Sequence, residues 1–134
     1  MKSDKLSFRR ALEILECSTH FLNMLIKNNE IEIVERSQPK QVRLNSVIKY
    51  LEKKEAFNVG IIRFRQDSSS GNRLDEYGYI LSSVGGNDIP YNIKNCVNCS
   101  PTHGEEVAYC MSKDSRYAKC VFDKEYVRKV IESK

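Results

Sequence analysis

Val59-Gly60-Ile61-Ile62-Arg63-Phe64, Tyr77-Gly78-Tyr79-Ile80, Gly85-Gly86-Asn87-Asp88-Ile89-Pro90-Tyr91-Asn92, Gly104-Glu105-Glu106-Val107-Ala108-Tyr109 and Ala118-Lys119-Cys120-Val121 succeed one another through the second half of this chain. Each run is short and β-rich, and Gly, Ser and Asp clusters separate them, which is the pattern of consecutive strands joined by turns. Five such runs in succession predict a small β-barrel. In Tyr77-Gly78-Tyr79 the aromatics recur at period two, so both rings are expected on one face of their strand. The bare Gly78 between them is expected to let a ligand ring approach closely. Such a face suits stacking of unpaired bases, because every base offers a π-face. Phe64 is expected on the neighbouring strand, with Arg63, Arg65 and Lys94 close enough to meet phosphates.

From Val59 to Val121 the order of these runs resembles the cold-shock domain, an OB-type barrel that binds single-stranded nucleic acid. Gly60-Ile61-Ile62-Arg63-Phe64 stands where that family has its first strand, a Gly-x-Val-Lys-Trp-like run. Glu76-Tyr77-Gly78-Tyr79-Ile80 stands at its Lys-Gly-Phe-Gly-Phe-Ile motif, and Asp88-Ile89-Pro90-Tyr91-Asn92 at its Asp-Val-Phe-Val-His strand. Gly104-Glu105-Glu106-Val107 looks like its Gly-Gln-x-Val start of strand four, and Ala118-Lys119-Cys120-Val121 like its closing strand. The resemblance implies single-strand contacts from Arg63, Phe64, Arg65, Tyr77, Tyr79, Asn92 and Lys94. The departures point the other way. Asp75-Glu76 replaces the leading Lys-Gly, Arg65 an aromatic, Pro90 the second-motif Phe and Asn92 the His, and Asp67 to Arg73 lengthens the first loop. A barrel retained for packing or for protein contact is the alternative, since a fold does not carry its usual function with it.

The first half has a different period. Ser7 is placed to cap a helix whose Phe8, Ala11, Leu12 and Leu15 fall at i, i+3, i+4 and i+7. Ser18 or Thr19 is placed to cap a second, in which Leu22, Leu25 and Ile26 point inward while Thr19, His20, Asn23 and Lys27 share the outer surface. Asn28-Asn29 stops that helix, because asparagine tolerates the left-handed conformation a helix end needs. Two short strands, Ile31 to Val34 and Gln41 to Leu44, flank the turn Arg36-Ser37-Gln38-Pro39-Lys40. Asn45 or Ser46 then caps a third helix with Ile48 and Leu51 buried, running to about Glu55.

Two short helices across a tight turn, followed by a hairpin, form a winged helix-turn-helix. From Leu6 to Lys53 this half resembles the excisionase and MerR-type family: Ala11-x-x-x-Leu15, Ser18, Leu22-x-x-Leu25-Ile26-Lys27, Glu30-Ile31 and Val42-Arg43-Leu44 with Ile48, Tyr50 and Leu51 stand at that family's positions. Asn29 departs from its usual glycine, and Glu32 and Glu35 bring acids to the wing. The resemblance implies duplex DNA as partner, with the second helix in the major groove. Ser18, Thr19, His20 and Asn23 would contact bases or phosphates, and Lys27, Lys40 and Arg43 would be phosphate contacts that fix register. A helical bundle with a solvated polar face is the alternative reading.

Charge agrees without deciding. The 134 residues carry 22 basic and 18 acidic side chains, and residues 1–56 hold 11 and 8 of these, a balance of +3 out of +4. No apolar run approaches the ~18 residues of a membrane span, and the start of the chain lacks a signal-peptide pattern, so a cytoplasmic location is expected. Five cysteines, an odd count, argue against a secreted disulfide framework. Cys96-x-x-Cys99 with His103 and Cys110 is half of a zinc pattern, and without a second ligand pair no metal or other cofactor is expected. Cys110 and Cys120 read as small buried hydrophobes, and Cys99 with His103 lacks a third orienting group for catalysis. The sequence therefore predicts an α+β chain: a winged helix-turn-helix over residues 1–56, then an OB-type five-stranded barrel with a short C-terminal helix over residues 57–134. It is expected to bind nucleic acid without enzymatic activity, or to act as an adaptor whose barrel binds another protein.

Overall fold

A computed structural model of the chain describes residues 4–36, 40–63, 77–82, 88–98 and 104–132. The chain contains both helices and strands and divides into two compact units, Met1–Ala56 with Lys129–Lys134, and Phe57–Arg128.

In the first unit, β1 (Lys5–Ser7) leads directly into α1 (Phe8–Leu15), followed by α2 (Thr19–Lys27), β2 (Ile33–Val34), β3 (Gln41–Arg43) and α3 (Leu44–Lys53). Ser7 caps α1 as expected, its hydroxyl accepting from the Arg10 N–H at 3.0 Å. The buried face of α1 is centred on Ala11 and Ile14, whereas Phe8, Leu12 and Leu15 are half-buried. The period-3.6 stripe is thus rotated from the expected one toward Ile14. Glu16 ends the helix in the left-handed region, φ 49°, where glycine would be usual. Its N–H bonds back to the Glu13 carbonyl, and the Cys17 N–H to that of Leu12. Ser18 caps α2 by accepting from the Phe21 N–H at 3.1 Å, and Asn29, φ 62°, supplies the left-handed residue after it.

The cap of α3 corrects the sequence reading. Neither Asn45 nor Ser46 is the N-cap. Arg43 holds that position and makes no side-chain cap bond. The orphan N–H of Asn45 is instead met from 41 residues away by the Asp4 carboxylate at 2.8 Å, and the Leu44 N–H by the Asp4 carbonyl at 2.9 Å. Ser46 is buried because its hydroxyl donates to the Arg43 carbonyl at 2.7 Å and accepts from the Glu32 N–H at 3.0 Å. That pair of bonds joins the first turn of α3 to the segment entering β2. Strand β3 is the centre of a three-stranded antiparallel sheet of order β1-β3-β2, with Leu6 and Ile33 both opposite the fully buried Val42. Ala11, Ile14, Leu22, Leu25, Ile31, Leu44, Val47, Ile48 and Leu51 are also in the core of this unit, each Leu or Ile contributing roughly 1.5–3 kcal/mol of burial.

The second unit is a curled five-stranded antiparallel half-barrel of order β6-β5-β4-β7-β8, built from β4 (Asn58–Arg63), β5 (Tyr77–Ser82), β6 (Ile89–Asn92), β7 (Glu106–Met111) and β8 (Ala118–Asp123). Its inner face gathers Ile62, Ile80, Tyr91, Val107, Tyr109 and Val121. A 3-10 turn, Ile93–Asn95, follows β6 and carries the chain alongside β8, where Cys96 and Val121 form a parallel bridge. There the Val97 N–H donates to the Val121 carbonyl at 2.9 Å, the Asn95 amide to the Lys119 carbonyl at 3.3 Å, and the Asp123 N–H to the Asn98 amide oxygen at 2.9 Å. The two edges of the sheet therefore meet through this segment. Gly104, φ 88°, lies in the turn just ahead of β7 and donates its N–H to the Ile62 carbonyl at 2.8 Å. On the outer face Phe57 stacks edge-on against the buried Phe122, ring centroids 5.6 Å apart. The C-terminal helix is α4 (Lys124–Glu132).

Candidate nucleic-acid interfaces

On the first unit, α2 exposes all four of the side chains expected on its outer surface, Thr19, His20, Asn23 and Lys27, beyond the exposed cap Ser18. Leu22 and Leu25 anchor the opposite side, 0% and 4% exposed. The sequence reading missed two neighbours on the open side: Phe21 and Met24 are 43% and 44% exposed. Their signal was available, since both lie off the 22-25-26 stripe.

The two basic residues of the hairpin differ. Lys40 is exposed, its ammonium 5.5 Å from the centre of the Phe8 ring, an interaction that steadies the side chain while leaving the charge in solvent. Arg43 is half-buried, with its guanidinium 4.0 Å from the Asp4 carboxylate. It lines a cleft of about 350 Å³ together with Asp4, Glu30, Glu32 and Lys49. Arg43 thus faces acids of its own unit, and Lys27 and Lys40 are the more available cations of the expected set. The turn residues Ser37, Gln38 and Pro39 lie outside the described residues.

On the second unit the register aligns Arg63, Tyr79 and Pro90 across β4, β5 and β6. Arg63 and Pro90 are exposed, and Tyr79 is half-buried between them. Proline is tolerated on β6 because that strand borders the sheet. Tyr77 pairs with Asn92 in the same sheet. Its backbone is described but its side chain is not, and Phe64, Arg65, Asp75 and Glu76 lie outside the described residues. Lys94 is exposed in the 3-10 turn. Asn92 is committed locally: its side-chain oxygen accepts from the Lys94 N–H at 2.9 Å, while its own N–H donates to the Asn95 side chain at 3.1 Å.

Gly78 corrects a second expectation. It is buried on the inner side of the sheet, and a Cβ there would stand 2.6 Å from the Tyr91 hydroxyl oxygen and 2.8 Å from its ring carbons. The missing side chain makes room for Tyr91 and leaves no opening for a base. Between the rows of Tyr79 and Gly60, the outward row sets Ile61, 39% exposed, opposite half-buried Leu81 on one side and the exposed Glu106 on the other.

Of the cysteines, Cys110 and Cys120 stand directly opposite each other on β7 and β8, both buried and unlinked. Burial pushes the Cys120 thiol well above its ordinary value, and the neighbouring Cys110 adds to the effect, so it stays protonated. Cys96 packs against the core of the half-barrel. Cys99 and His103 lie outside the described residues. No helix among the described residues is long and apolar enough to cross a membrane.

No known protein family, curated protein or solved structure matches this chain.

Proposed function

We propose that this is a non-enzymatic, cytoplasmic nucleic-acid-binding protein, a regulator of transcription or recombination. On this reading the first unit is a winged helix-turn-helix on duplex DNA, and the second an OB-type barrel with an auxiliary affinity for single-stranded DNA or RNA. The observation that carries the first half is the exposed run Ser18, Thr19, His20, Asn23 and Lys27 on one side of α2, ahead of a hairpin that presents Lys40. A helix anchored by Leu22 and Leu25 and open along its polar side suits insertion into a major groove. On this reading β1, paired with β3, makes the wing a three-stranded sheet. For the second unit, support comes from the strand order and from the parallel junction at Cys96 and Val121, which brings the sheet toward closure.

A second reading has its own observation. The outward pair Ile61 and Leu81, beside the local engagement of Asn92, favours a protein partner for the barrel.

Electrophoretic and anisotropy titrations of the full chain on duplex DNA test the first half. Changing Lys27 and Lys40 together to Ala should weaken binding to all sequences and lower the slope of log K against log salt by roughly 1.8, about 0.9 for each phosphate that is no longer neutralised. Asn23→Ala should instead alter sequence preference, by about 1–3 kcal/mol. A double variant with unchanged affinity and slope would rule this surface out.

A further inference from the structure

Single exposed apolar side chains are ordinary and need no function. Phe21 and Met24 are different in placement. They lie at i and i+3 on α2, neighbours on the helix surface, each more than two-fifths exposed, and they form a strip between the polar side that carries His20, Asn23 and Lys27 and the buried Leu25. Phe21 is in the first turn, its N–H held by the Ser18 cap. The N-terminal residues of a recognition helix are those that meet base edges. A mixed surface of this kind matches the major groove chemically. Donors and acceptors there distinguish most edges, but the 5-methyl of thymine is an apolar mark, read by contact with an apolar or aromatic side chain.

We propose that Phe21, backed by Met24, reads the 5-methyl group of thymine in duplex DNA. This rests on the duplex-binding reading of α2 and adds to it the base feature that is recognised. A second copy of the chain is the less suitable occupant. The core of a protein interface is depleted in charge, whereas this patch holds Lys27, and two side chains fall far short of the roughly 800 Å² per partner of a stable dimer.

The test takes duplexes selected by the full chain from a randomised thymine-containing pool and remakes them with uracil, which differs only by the methyl. The wild type should bind the uracil duplex about fourfold more weakly for each methyl it touches. Phe21→Ala, with its fold checked by circular dichroism, should bind both duplexes alike, and Phe21→Leu should keep part of the preference. Equal wild-type affinity for the two duplexes, with salt-dependent binding intact, would overturn methyl recognition and leave duplex binding standing. Absence of any duplex binding at low salt would remove both. Light scattering adds one more outcome: a wild-type dimer that Phe21→Ala converts to monomer would give the patch to self-association and end the proposal.

Discussion

At Gly78 the space open to a side chain is set by Tyr91, which fills the inner side of the half-barrel and is 1% exposed. Gly78→Ala must push that ring or bend β5, and overpacking of this kind typically costs about 1–3 kcal/mol. Urea denaturation of the variant should show a lowered midpoint. An unchanged midpoint would mean that the ring relaxes freely. The sequence showed that a glycine stands between two aromatics at period two, but not which neighbour needed its space, because that neighbour lies thirteen positions on and meets it only through the β5-β6 register. Asp114 offers a residue-scale test in pH. The Ser112 hydroxyl donates to its carboxylate at 2.6 Å, and the Arg116 N–H donates to the same oxygen at 3.2 Å, which together hold the carboxyl below its ordinary value. A carboxyl depressed in the folded state contributes stability above its unfolded pKa, and that contribution fades as pH falls through the folded one. NMR titration should therefore find Asp114 ionising below free aspartate, and Ser112→Ala should move it back up.

Among the elements, the helices were the most legible and their ends the least. Ser7 and Ser18 cap as their sequence context predicts, since each bond closes within three residues. The cap of α3 was not legible. Asn45 and Ser46 look like caps locally, yet the bond to the Asn45 N–H comes from Asp4, and no local pattern reports a partner 41 residues away. Replacing Asp4 by Ala should destabilise the first unit by about 0.5–2 kcal/mol, the usual worth of an N-cap. Asn45→Ala should have a smaller effect, because the bond from Asp4 goes to the Asn45 backbone N–H, which alanine keeps. Thermal melts of the two variants compare them directly, and the reverse ranking would contradict this assignment. The same pattern limits reading of the candidate site: the exposed side of α2 was visible from its period, while the acidic surroundings of Arg43 depend on Asp4, Glu30 and Glu32 arriving from separate stretches of the chain.

For the molecule as a whole, the segment laid along β8 has a colloidal consequence. Lys119-Cys120-Val121-Phe122 is a β-rich stretch with one charge, and an open edge there would be a template on which other chains could add strands. The Val97 N–H, the Asn95 amide and the Asn98 side chain occupy successive groups along that edge. Val97→Pro removes the central donor, so the variant should scatter light increasingly with time and concentration under conditions that keep the wild type clear. A variant that stays equally clear would show the edge to be guarded by something else. The stretch between β6 and β7 should thus act as the protein's safeguard against growing into fibrils.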